Sequence, residues 1–195
     1  MKKILSILFA IVISHAISAQ EIGIKIGTNL TNIYDDGSIE SDTKIGINGG
    51  VTAQFPLTDV VSFKTGLLYS ERGAQDGDSD LEMSLYFSYL DIPFDIMYYV
   101  TDKISLNLGP NFGVLLIAKN KISGSFLGQT VDENIDIKED MKALDLGINI
   151  GTSIYLNESL SINAGYQLGV TNFVDGDAKT NHSVIQFSLS YSLNN

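Results

Sequence analysis

The chain has 195 residues, a formal charge of -11 and no cysteine. That length suits one core or one closed barrel. The acidity excludes nucleic acid as a partner, because phosphates need a basic footprint. Lack of cysteine excludes disulfides, thiolate metal sites, a Cys nucleophile and an acylated lipoprotein cysteine.

The chain opens with "MKKILSILFAIVISHAISAQ". Lys2 and Lys3 form a positive start, Ile4 to Ile13 a short apolar run, and Ser18-Ala19 a small-residue cleavage site before Gln20. These are the parts of a secretory signal peptide over 1–19, with the barrel domain over 20–195. The apolar run is too short to cross a bilayer as a helix, which takes roughly 20 residues. Loss of both lysines would move the formal charge from -11 to -13. No later segment is apolar enough for a transmembrane helix, so the remainder is either a soluble exported protein or one inserted as strands.

Alternation with period two dominates from there on. It predicts eight strands, at about 21–31, 43–55, 60–72, 84–100, 104–118, 142–156, 159–173 and 183–194. "PLTD" (56–59), "VTDK" (100–103) and "LNES" (156–159) read as tight turns. The other connections, about 32–42, 73–83, 119–141 and 174–182, are long and polar. Short turns at one end and long loops at the other describe an up-and-down meander, and closure would remove its exposed edges.

One face of the predicted strands is apolar throughout: Ile24 and Ile26, Ile45 and Ile47, Leu90 to Val100 at alternate positions, Leu106 and Leu108, Leu146 to Ile150, Phe187 and Leu189. The other face is small or polar, with Gly27, Gly50, Gly109, Asn111, Asn149 and Gln167 among its members. The strand charges are assigned there too, Lys25, Lys44, Lys64 and Arg72 against Asp91, Asp95 and Asp145. A solvated face usually carries many Lys and Glu and few glycines. Inside an eight-stranded barrel there is only room for packed side chains, which Gly, Ser and Asn suit. Lipid in turn demands a charge-free exterior, since a cation at the midplane costs about 2–4 kcal/mol. The polar face is therefore expected in the lumen, with Asp91 and Asp95 meeting Lys64 or Lys25 as a lumen charge cluster. The inside-out alternative is a soluble lipocalin-like ligand-binding barrel. Pro93 lies mid-strand, where it deletes a ladder bond, so a bulge or register irregularity is expected there.

The stretches "GIKIGTNLTNI" (23–33), "FPLTDVVSFKTGLLYSERGA" (55–74), "YLDIPFDIMYYVTDKISLNLGPNFGVLL" (89–116) and "YQLGVTNF" (166–173) occur in order along the chain. In that combination the chain resembles the PorT-like outer-membrane β-barrel proteins of Bacteroidetes-type bacteria. The resemblance implies an outer-membrane barrel of this size. One member of that family is tied to the type IX secretion and gliding machinery, but the matched residues are barrel residues, so that role does not carry over. The C-terminal "SLSYSLNN" departs from the aromatic ending common to outer-membrane strands, leaving Tyr191 to serve.

Catalytic chemistry finds little support. After residue 20 the only histidine is His182, next to Ser183. Neighbours on a strand point to opposite faces, so the pair would separate, and a surface histidine is the expectation. In "DGDSDLE", Asp76, Asp78, Asp80 and Glu82 are weak candidates for a divalent cation. An EF-hand would need Gly where Leu81 stands. Asp35, Asp36, Glu40 and Asp42, then Asp132, Glu133, Asp136, Glu139 and Asp140, and then Asp175 and Asp177 make the other long loops acidic as well. Such loops read as solvated, or as a divalent-cation layer toward lipopolysaccharide phosphates.

The reading is an all-β, eight-stranded antiparallel up-and-down transmembrane β-barrel in the outer membrane of a Gram-negative cell. It is expected to be non-enzymatic, with no cofactor, and to have a structural or interaction role, as an accessory to a secretion complex for example. Its expected surroundings are outer-membrane lipid, lipopolysaccharide and envelope proteins. A narrow pore for small solutes is the alternative within the membrane.

Overall fold

In the computed structural model, residues 21–35, 42–78, 81–126, 129–173 and 180–194 are described. The strands are β1 (Glu21–Asp35), β2 (Asp42–Pro56), β3 (Val61–Asp78), β4 (Leu81–Thr101), β5 (Ile104–Phe126), β6 (Gln129–Asp136), β7 (Leu144–Tyr155), β8 (Leu160–Gly169) and β9 (Thr180–Ser192). The expected signal peptide lies outside the described residues.

Eight of these strands form a closed ring. Pairing runs β4-β3-β2-β1-β9-β8-β7-β5, and β4 also pairs with β5. Every ladder is antiparallel. The predicted eight-stranded up-and-down barrel is the observed fold. Short turns at 57–60, 102–103 and 156–159 lie at one end. At the other end the strands outrun the sequence reading. β3 and β4 stay paired as far as Asp78↔Leu81, so 73–78 and 81–83 are ladder, not loop. Within the stretch expected as a loop at 119–141, β5 runs on to Phe126 and β6 returns beside it, Lys119↔Asp136 to Phe126↔Gln129. β6 pairs with no other described strand, so it is an arm added to the ring.

The apolar face points outward. Ile26 is 67% exposed, Ile45 71%, Leu108 57% and Ile150 57%. A water-soluble barrel would bury these side chains, because each exposed Ile or Leu forgoes about 1.5–3 kcal/mol of burial. Lipid removes that penalty. Glu71 is the exception to a charge-free exterior. It lies at the long-loop rim, where Tyr69 and Tyr86 donate hydroxyl hydrogen bonds to Glu71 Oε1 at 2.9 and 2.6 Å. Its second oxygen accepts the Ile47 N–H at 3.3 Å, within the register shift between Thr43 and Asn48. The carboxylate thus satisfies a backbone donor that a β-bulge would strand.

Pro93 causes no bulge. Thr65↔Phe94 and Leu68↔Asp91 keep one offset across a two-residue gap in the ladder to β3. Pro93↔Asn111 and Ile96↔Leu108 do the same toward β5, where the gap faces Pro110. The missing N–H groups remove bonds without adding a residue, so the alternation survives. The bulges lie elsewhere. At Ser88/Tyr89 the partners jump from Ile117 to Leu115, so Leu116 is the extra residue. That insertion lets Leu115 and Ala118, three positions apart, both be buried in one cluster.

Candidate functional site

The lumen divides into three layers. Nearest the long-loop end is an apolar plug of Ile33, Ala74, Phe87, Tyr89, Leu115, Ala118 and Phe173. Phe173 reaches it from the segment after β8, held by its own N–H to Thr180 O at 3.2 Å and by the Lys142 N–H on its carbonyl at 2.8 Å. His182 lies within this plug, 1% exposed, not at the surface as expected. Its ring stacks on Phe173 with centroids 4.0 Å apart. Its Nε2 is 3.1 Å from the Tyr89 hydroxyl. Ser183 turns the other way, donating to the Tyr166 hydroxyl, so the pair separates as alternation requires. Phe173, from the segment after β8, covers the histidine, and strand periodicity does not encode that.

Below the plug sits Arg72. Nη2 donates to both oxygens of Asp91 at 2.6 Å, and Nη1 donates to Asp145 Oδ2 at 2.6 Å. The guanidinium also lies over the Tyr89 ring, 4.6 Å from its centroid. Thr171 donates to the free oxygen of Asp145 at 3.1 Å. All three charged side chains are almost fully buried. A planar, forked cation is suited to two carboxylates at once.

The third layer is a cavity of about 70 Å³. Lys25, Lys64, Asp91 and Asp95 all line it. The expected pairing among them is not the one observed. Asp91 is taken by Arg72, whose long side chain reaches diagonally down the sheet; the register partner of Arg72 on β4 is Phe87. Lys64 and Asp95 are direct register partners, yet among the described residues no ion pair within 4.0 Å joins Lys25, Lys64 or Asp95 to anything. Asp95 instead accepts from Asn149 Nδ2 at 3.3 Å, and Lys25 Nζ donates to Gln186 Oε1 at 3.4 Å. The short-turn end is crossed by Gln54, which donates to Glu21 at 3.0 Å and to the Tyr99 hydroxyl at 2.8 Å. Tyr99 and Tyr155 face each other there, hydroxyls 3.3 Å apart.

Of the acidic candidates in 76–82, Asp76 and Glu82 do not come together. Asp76 pairs with Met83, and Glu82 with Gly77, so alternation sends Asp76 and Glu82 to opposite faces of the hairpin. Asp78 is described by its backbone alone, and Asp80 lies outside the described residues. Among the described residues no group of three His, Asp or Glu side chains is arranged to hold a metal.

Residues 15–175 match the family described as outer membrane protein beta-barrel domain. No curated protein matches the sequence. Among solved structures, Ail, the attachment invasion locus protein of Yersinia pestis, superposes with a TM-score of 0.54 at 14% identity, covering 90% of this chain and 99% of its own. The same protein in complex with the heparin analogue sucrose octasulfate gives 0.53 at 15% identity, over 89% of this chain and 98% of its own. These likenesses concern the fold. With the exposed apolar belt and the closed ring, the family match has one meaning: the chain belongs to the outer-membrane β-barrel protein family and is an outer-membrane protein.

Proposed function

We propose that the protein is a non-enzymatic structural or interaction barrel of the outer membrane, exported by a signal peptide cleaved near Gln20. The observation that carries this is the occluded lumen. The plug, the Arg72 cluster and the Gln54–Tyr99–Tyr155 crossing lie one after another along the axis. A cavity of about 70 Å³ between them is closer to room for a few waters than to a solute path. No nucleophile, base and orienting group converge among the described side chains, as hydrolysis would require. His182 is buried against aromatic rings with its Nδ1 unpartnered.

The interaction surface in this reading is the long-loop end, where Asp132, Glu133 and Asp136 lie on the β6 arm. Ail has been crystallised with a polysulfated sugar. Here Asp132, Glu133 and Asp136 outnumber Lys119 and Lys121 on the arm and the chain's formal charge is -11, so neutral or basic envelope partners fit better. An accessory role in a secretion complex would be one example of such an interaction, and the barrel residues that carry the sequence resemblance do not assign it. The test is fractionation with co-purification from native outer membranes, followed by single-channel recording of the purified protein. Expected are outer-membrane fractionation, heat-modifiable migration, a partner that survives purification and no stable conductance. Release without detergent would refute the membrane reading, and large steady conductance would replace the plugged barrel with a pore.

A further inference from the structure

The cavity between the Arg72 cluster and the short-turn end has a marked donor excess. Lys25 and Lys64 both line it, and among the described residues neither has a carboxylate within 4.0 Å. Asn111, 2% exposed, and Gln167, 2% exposed, also line it. Asn111 Nδ2 and Gln167 Nε2 are buried N–H donors without an acceptor, and the Ser188 hydroxyl beside them is unpartnered too. The acceptors present are largely committed. Both Asp91 oxygens receive Arg72, Gln186 Oε1 receives Lys25, and Asp95 receives Asn149. Asp95 is thus the one lining carboxylate not taken by Arg72, against two lysines. Buried donors left unmade are costly, and native interiors rarely tolerate several in one place.

We infer that this cavity is a binding site for one small monovalent anion, such as a halide, nitrate or a compact carboxylate. It would be held between the Lys25 and Lys64 ammonium groups and capped by the side-chain amides of Asn111 and Gln167. An acceptor-only ligand is the kind that unpartnered donors of this sort would bind. A cavity of about 70 Å³ admits a species of a few heavy atoms and no more. The site needs no conduction. An anion here would serve as the acceptor that completes the hydrogen bonding of the lumen.

The probe is sodium bromide, with sodium acetate as a second one, titrated into the purified full-length mature barrel in detergent at constant ionic strength set with sodium sulfate. The readout is the side-chain amide resonances of Asn111 and Gln167. Saturable shifts are expected, weakened at least tenfold in Lys64→Met and in Lys25→Met. Asn111→Asp supplies a built-in carboxylate, so it should abolish the bromide response and raise the denaturant midpoint. It also keeps the test alive if a lysine variant fails to fold. Shifts that stay linear in concentration, or saturable shifts untouched by either lysine substitution, would overturn the site and leave water as the filling. A lowered midpoint for Asn111→Asp would overturn it equally.

Discussion

Arg72 Nη2 stands 2.6 Å from both carboxylate oxygens of Asp91, in a layer that water does not reach. A buried cation paired this way costs desolvation, so the pair is weak evidence for net stability. Breaking it is another matter. Arg72→Met would leave Asp91 and Asp145 facing each other unpaired, a loss of about 3–5 kcal/mol. Adding Asp91→Asn and Asp145→Asn to it should recover much of the loss. Denaturant unfolding in lipid vesicles measures both. Additivity of the three changes within about 0.5 kcal/mol would mean that the groups do not act together.

Asp95 has no such partner, so Asp95→Asn should be milder than Asp91→Asn in the same assay. Equal losses would show that Lys64 or Lys25 binds Asp95 more closely than the 4.0 Å limit that excludes them here.

The exterior makes a depth-dependent prediction. Leu108 is midway along the ring portion of β5, and Ile45 is near the long-loop end of β2. Leu108→Arg should cost about 2–4 kcal/mol and Ile45→Arg about 0–1 kcal/mol. Equal costs would argue against a hydrocarbon belt at Leu108.

Two glycines on the inner face should answer differently to alanine. A Cβ on Gly109 would stand 2.1 Å from Phe94 O, whereas on Gly165 the nearest atom is at 3.4 Å. Gly109→Ala should destabilise by about 1–3 kcal/mol through forced backbone shifts. Gly165→Ala should stay within about 0.5 kcal/mol. Heat-modifiable migration and unfolding midpoints separate the two.

Phe173 seals the plug against His182. Phe173→Ala should cost about 3–5 kcal/mol as a large core deletion. It should also expose the single histidine that follows residue 20 to acylation by diethyl pyrocarbonate. Unchanged modification of His182 would place the seal elsewhere.

What the sequence disclosed follows from which constraints are periodic. Lipid imposes the same demand at every second residue, so the outward set from Ile24 to Leu193 was legible by alternation. Closure and strand number were legible through the turns. The lumen charges were legible as a face but not as pairs. Alternation places Arg72 and Asp91 on one side, and says nothing about a guanidinium reaching four residues diagonally. Glu71 was missed as an outward charge, because its support comes from two tyrosines and a bulge that no spacing announces. His182 and Phe173 escaped for a similar reason. Their burial depends on how irregular chain folds over the mouth, and "TNFVDGD" reads only as polar connection. The bulge expected at Pro93 confused loss of a hydrogen bond with gain of a residue.

The β6 arm has a consequence for how such a chain can vary. Its ladder is closed between Lys119 and Asp136 and borrows nothing from β7. The ring pairing of β5 with β7 is complete by Val114↔Leu144, and the extra residue at Leu116 separates the two registers. Paired insertions or deletions near the arm's tip therefore leave every membrane ladder in frame. The tip is a natural graft point, where an epitope or a reporter peptide can be displayed without asking the barrel to relearn its fold.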